Sequence, residues 1–346
     1  MHHYAVHSNF HLDASTISGN ELLVSFLYSG GKLGVNCFVL ITGFFLVKSS
    51  FKIDKLIKIW FQIFLYSASI YIFFVLFGMI DFDIKQAIRS FFPVIFNQYW
   101  FATSYLILYT LSPYLNSLIK GISKEQHFNL IILLVTIWSF IPTFTTARLD
   151  FSSIGWFCTL YIISAYIRLY PSRWFDNCKK NIFFAALAYT LILLSVLTFN
   201  ILGLRYHIFG AKATYFTSMN MLPLLFCSIT LFLGFKNLNI RNNKIINYIS
   251  SSIFGVYLIH DNHFVRHYLW IDLLKSESFY DSPFLFFHAT ASIISVFLVC
   301  VAIDKIRYIF IEKPSLKFID IFSSKVSIKL HYLKRTAYNL TNKTLE

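Results

Sequence analysis

Four of the eleven histidines stand within the first eleven residues, at His2, His3, His7 and His11. His3, His7 and His11 follow an i, i+4, i+8 spacing, so a helix there would carry all three on one face. Imidazole titrates near neutral pH, which suits it to take a proton from a hydroxyl or, as the neutral ring, to ligate a metal. The glutamate that would complete an HExxH zinc motif is absent, and no metal is expected. For His7 and His11 the simpler reading is an interfacial position. For His2 and His3 a chemical role and an interfacial one stand side by side.

Three further clusters carry polar chemistry. His260-Asp261-Asn262-His263, followed by Arg266 and His267, closes a segment that also holds Ser250, Ser251 and Ser252. His260 and Asp261 are adjacent and diverge on a helix, so a His–carboxylate pair from this segment alone is not expected. The group reads as an interfacial cap or as part of a site. Tyr105, Tyr109 and Ser112 fall at i, i+4, i+7 behind Asn97-Gln98-Tyr99-Trp100-Phe101. That hydroxyl stripe suits interhelical hydrogen bonding or a sugar-binding wall. Lys55 and Lys58, with Lys52 ahead of them, share a helix face and offer ammonium groups to phosphates, as would any basic loop beside a membrane. No Walker, Rossmann or G-x-S-x-G motif occurs.

The elements that position these residues have to be membrane helices. Of 346 residues, 57% are hydrophobic and only 13% charged, with 40 Phe and 21 Tyr. A soluble domain carries about a quarter charged residues. Disordered chains, coiled coils and nearly all soluble enzymes are thereby excluded. The cysteines Cys37, Cys158, Cys178, Cys227 and Cys300 are scattered without a CxxC or disulfide pattern and read as small hydrophobes. A scan for runs of about 20 apolar residues predicts nine spans, at 34–48, 56–80, 100–118, 128–147, 152–170, 182–203, 214–235, 245–264 and 284–311. The predicted fold class is an all-α, polytopic transmembrane bundle.

Charge sets its orientation. With the loop from Lys48 to Lys58 placed in the cytoplasm, that side holds 22 of the 30 Lys and Arg, and the other side holds eight, Lys32 among them. The net charge of +14 is therefore a topology signal, with contact to the lipid bilayer and no need of nucleic acid. The first full span then runs inward, residues 8–33 form an external loop, and Met1–His7 are expected to be the end of a further span cut short.

At this point the chain resembles the integral-membrane acyltransferase-3 family, which acylates cell-surface glycans. The resemblance is carried by His2-His3-Tyr4 with His7, by the string from Gly31 to Leu46, by Tyr99-Trp100-Phe101 and by Leu106 to Asn116. It continues in Phe254 to His260 and in Ile311-Glu312-Lys313-Pro314. It implies ten spans, nine of them complete here, in a membrane domain over 1–315 followed by a basic cytoplasmic tail over 316–346. It also implies an Arg-x10-His motif in the first span, whose histidine is the catalytic base. His3 fits that place first and His2 second, while the arginine would precede Met1. Lys55 and Lys58 occupy the place of a basic RxxR pair and are the cofactor-binding candidates. Tyr99, Trp100, Tyr105, Tyr257 and His260 are the substrate-binding candidates.

The implied activity is O-acyl transfer, above all O-acetyl transfer, at the plasma membrane. The donor would be cytoplasmic acyl-CoA, with no permanently bound cofactor, and the acceptor a hydroxyl of a surface glycan or its lipid-linked precursor. Direct transfer and an acyl-histidine relay both remain open. A flippase or exporter of glycan intermediates, a glycan polymerase and an inactive truncated acyltransferase are the competing expectations. The polymerase fits poorly, because the external loops are short.

Overall fold

A computed structural model describes residues 1–10, 18–145, 147, 151–210 and 212–315. His11 and the tail over 316–346 lie outside the described residues. The described chain is all-helical. In order, the helices that matter are α1 (His2–His7), α2 (Gly19–Leu46), α3 (Ile53–Leu76), α4 (Ile84–Phe91), α5 (Trp100–Lys120) and α6 (Lys124–Thr145). They are followed by α7 (Ser153–Leu169), α8 (Cys178–Gly203), α9 (Leu222–Lys236), α10 (Lys244–Ser250), α11 (Ile253–His260), α12 (His263–His267) and α13 (Leu285–Arg307). Short polar residues set several starts. Ser18, Asp83, Ser152 and Asn177 each accept a backbone N–H of the first turn, and Ser123 with Gln126 closes a full capping box.

Among the described residues six helical stretches are long and apolar enough to cross a membrane, those of α2, α3, α6, α8 and α13 and the stretch Ile208–Lys236 that ends in α9. Three of the nine predicted spans depart from that standard for physical reasons. The 17-residue helix α7 is only about 26 Å long at 1.5 Å per residue, but ten of its residues are buried inside the bundle and none is exposed. Helix α5 gives up apolar surface to its hydroxyls. The 245–264 span is broken into α10, α11 and α12, with interruptions at Ser251-Ser252 and at Asp261-Asn262. A further correction concerns α2, which starts at Gly19 rather than near residue 34, so Lys32 is helical and not in an external loop. The short apolar stretch before Asn97 follows the amphipathic helix α4 and spans nothing.

Helix α2 is the hub, packed on α1, α7 and α9. Its Gly43 allows the backbone of α7 to come close, because a Cβ there would meet Ser164 Oγ at 2.2 Å and the Tyr161 backbone at 2.9 Å. Beside it, fully buried Asn36 donates to the Met219 carbonyl (2.8 Å) and Ser228 Oγ (3.1 Å) and accepts from Trp156 Nε1 (3.0 Å). One amide thus joins α2, α7 and the start of α9 with three of its hydrogen-bonding positions used.

Prolines within the helices are compensated in the same manner. Pro113 cannot donate to the Tyr109 carbonyl, and Ser112 Oγ does so instead at 2.7 Å. Pro142 leaves the Trp138 carbonyl free, and Asn220 Nδ2 supplies the donor at 2.9 Å. The predicted hydroxyl stripe on α5 is structural in part. Tyr109 Oη bonds both the N–H and the carbonyl of Lys52, holding the start of α3.

A buried ionic network ties α3 to the end of α13. Asp304 accepts from Tyr66 Oη (2.7 Å) and Arg307 Nε (3.0 Å), and Arg307 also pairs with Glu312. Arg307→Met leaves the Asp304 carboxylate buried with only neutral donors. A loss of about 3 kcal/mol is expected, seen as a lower melting temperature in detergent. An unchanged melting temperature would show that the network does not hold these helices together.

Candidate active site

The polar residues gather where α1 meets α11 and α12. Helix α1 is short and cannot be stable alone, so its packing decides its place. Tyr4, fully buried, donates to or accepts from His288 Nδ1 at 2.9 Å and meets Trp270 edge-on. Gly31 of α2 lies directly beneath the His2 ring, where a Cβ would come within 2.1 Å of it. Any larger residue at 31 would displace the His2 ring.

The break after α11 puts Asp261 and Asn262 at its tip. Asn262 caps α12 through Phe264 N–H (3.0 Å) and donates to Tyr99 Oη (2.6 Å). Asp261 turns toward α1, where His7 Nε2 lies 3.1 Å and His3 Nε2 3.7 Å from its Oδ1. Its side chain is 8% exposed, so the hydrogen bond donated by His7 Nε2, at 3.1 Å, has to answer for its charge. The His–carboxylate pair that α11 cannot make alone is thus made across helices.

Hydrogen bonding assigns the tautomers. The Val256 carbonyl only accepts, so His260 Nδ1 (2.5 Å away) carries the proton. Neutral His260 then offers the lone pair of Nε2, and His3 Nδ1 donates to it at 2.7 Å. This leaves the lone pair of neutral His3 on Nε2, beside the Asp261 carboxylate. A proton arriving there makes an imidazolium next to an anion. His2 Nδ1 donates to the Tyr28 carbonyl (2.5 Å), which leaves its own Nε2 as an acceptor.

Two cavities open on either side of this cluster. One, of about 370 Å³, is lined by His2, His3, Lys32, Trp100, Tyr257 and His260 with apolar neighbours. The other, of about 490 Å³, is lined by His7 together with Gln86, Arg266, His267, Tyr268 and Asp272. His3 and His7, one helical turn apart, therefore face different spaces and share one carboxylate. His3, His7 and Asp261 also have the ligand types and closeness of a cation site, their donor atoms all lying within 4.8 Å of one another.

Of the residues singled out from the sequence, His2, His3, Trp100, Tyr257 and His260 come together around the first cavity. Tyr99 does not line it and is spent on Asn262. Tyr105 lies one layer back, stacked on Phe101 and edge-on to Phe38. Lys55 and Lys58 sit at the far end of α3, whose other end packs Tyr71 and Phe74 against Phe264 of α12. Sixteen residues of helix separate Lys55 from Tyr71, roughly 24 Å. Lys58 there is paired with Asp54 at 3.8 Å. Sequence reasoning missed Lys32, which it had placed in a loop, although the apolar run from Gly31 to Leu46 starts at its side.

The acyltransferase-3 family model, described as an acyltransferase domain, matches residues 1–305. Comparison with curated proteins and with solved structures returns no match. With the match running from the histidines of α1 through His260 and Asp261 into α13, the chain belongs to the acyltransferase-3 family of membrane acyltransferases.

Proposed function

We propose that this acyltransferase moves an acyl group, most simply acetyl, from cytoplasmic acyl-CoA to a hydroxyl of a cell-surface glycan or its lipid-linked precursor. The observation that carries this reading is the His3 ring, held in one tautomer in the wall of a cavity with its free lone pair beside a buried carboxylate. The acceptor hydroxyl gives its proton to His3 Nε2 as its oxygen attacks the thioester carbonyl. Asp261 stabilises the imidazolium that forms, and His260 keeps the ring from turning. The basic residues at the Lys52 end of α3 suit that end to the cytoplasm, where Lys55 and Lys58 meet the phosphates of the donor as point charges. The acyl end of the donor enters the cavity of His2, His3, Trp100 and Tyr257. The acceptor sugar lies on the side of the cavity of Arg266, Gln86 and Asp272, whose hydrogen-bonding groups and Tyr268 ring suit a sugar, and its hydroxyl reaches past the His7–Asp261 pair to His3, the three groups lying within 4.8 Å of one another.

The base assignment is checked by NMR of acetyl esters on the surface polysaccharide of a deletion strain carrying each variant. His3→Ala is expected to abolish the esters and His2→Ala to reduce them. Unchanged ester content in the single and double variants would refute it. Asp261→Asn keeps shape and removes charge, and is expected to lower kcat by roughly 10²-fold, within the range for general-base catalysis. Activity at the wild-type level would leave Asp261 a packing residue only.

Substituting Lys55 and Lys58 together by alanine should raise the KM for acyl-CoA and leave kcat in place. If the KM does not move, the two lysines serve orientation alone.

A further inference from the structure

Lys32 is a cationic group of the first cavity to which the proposed chemistry gives no task. It stands midway along α2, roughly 20 Å from either end at 1.5 Å per residue, farther than a lysine stem can reach. Its ammonium lies 4.3 Å from the centroid of the Trp100 ring, a cation–π contact that holds the charge without neutralising it. Among the described residues no carboxylate is within ion-pairing distance of it. An intramembrane cation in that state is costly and marks a site facing a cavity. A neutral chain of the same length would fill the place at less cost. The cavity it faces is the one lined by His2, His3 and His260.

We propose that Lys32 is the electrophilic group of the transfer, donating a charge-assisted hydrogen bond to the oxygen of the thioester carbonyl as it becomes an oxyanion. This rests on the acyl-CoA reading above. As the acceptor proton passes to His3 Nε2, the new C–O bond forms and the carbonyl π pair moves onto oxygen. Collapse of that tetrahedral intermediate restores the C=O bond and breaks the C–S bond. The departing thiolate takes the proton from His3 and leaves as the CoA thiol. Lys32 remains protonated throughout. The Trp100 face sets where the ammonium sits before the charge develops, so little reorganisation is needed when it does. The ring and the cation thus form one device, with Trp100 a positioning residue and Lys32 the group that touches the reacting oxygen.

The test uses the full-length protein in detergent, acetyl-CoA as donor and glycan extracted from the host envelope as acceptor. Release of CoA thiol and formation of acetyl ester are both followed. Lys32→Gln is expected to lower kcat by roughly 10²- to 10³-fold, the loss typical of an oxyanion donor, with the KM for acetyl-CoA unchanged. Lys32→Arg restores the charge and should recover a large part of kcat. Wild-type kcat in Lys32→Gln, or a raised KM with kcat held, overturns the assignment. Should Lys32→Gln fail to fold, Lys32→Met keeps the apolar stem on Trp100 and is expected to show the same loss. His3→Ala run in parallel separates the two ideas. If it is inactive while Lys32→Gln turns over normally, only the Lys32 assignment falls. If it turns over normally, the base reading fails first.

Discussion

Asp261 is a carboxylate removed from water at the tip of an interrupted helix, and in that setting an ionised group persists only if other groups carry its charge. Its hydrogen-bond donor is His7, with His3 beside it to receive a proton, and both belong to the first turns of the chain, more than 250 residues away. The demand of that single group explains much of the architecture around it. Helix α1 has to dock, so Gly31 leaves room for the His2 ring and Tyr4 is buried against Trp270 and His288. The segment after His260 has to stop being helical, so Asn262 caps the next turn and is itself held by Tyr99. His260 has to donate to Val256, and through that bond the proton on His3 is placed on the side away from Asp261.

The same rule operates at a distance from the cluster. Within a membrane, backbone and side-chain polar groups find partners inside the protein. Ser112 and Asn220 supply the donors that Pro113 and Pro142 lack, and Asn36 joins three segments through one amide. Against that background a cation held against an aromatic face, and an imidazole with a free lone pair, are exceptions. Both open on one cavity, which is why chemistry is assigned there and not to the apolar groove between α8 and α9.

Much of this was legible in the residues. Composition alone required a helical membrane protein, and the strings around His3, Trp100 and His260 identified the family and most of the cavity lining. What escaped was of three kinds. Periodicity follows apolar runs, so it began α2 only after Lys32, although Ser18 and Glu21 carry the capping signal for a start at Gly19. It joined α10, α11 and α12 into one span, because the breaks fall at serines and at Asp261-Asn262 within an otherwise apolar segment. A hydroxyl stripe also cannot reveal whether it faces a ligand or a neighbour. Tyr109 turned out to hold Lys52, and Tyr105 to pack between aromatic rings. The pairing of Asp261 with His3 and His7 depends on contacts between the two ends of the chain, which no local spacing encodes.

His3 and His7 lie on different cavities with a carboxylate between them, and on the proposed reading donor and acceptor meet across it. The proposed mechanism turns on entry of the acyl group into the His3 cavity, and it is tested most directly by a structure with a non-hydrolysable acyl-CoA analogue. The expected density runs from the Lys52 end of the bundle and ends with the acyl carbonyl among His3, Lys32 and Trp100. An acyl group found in the apolar groove of Phe184, Leu187 and Phe226, with the His3 cavity empty, would contradict it.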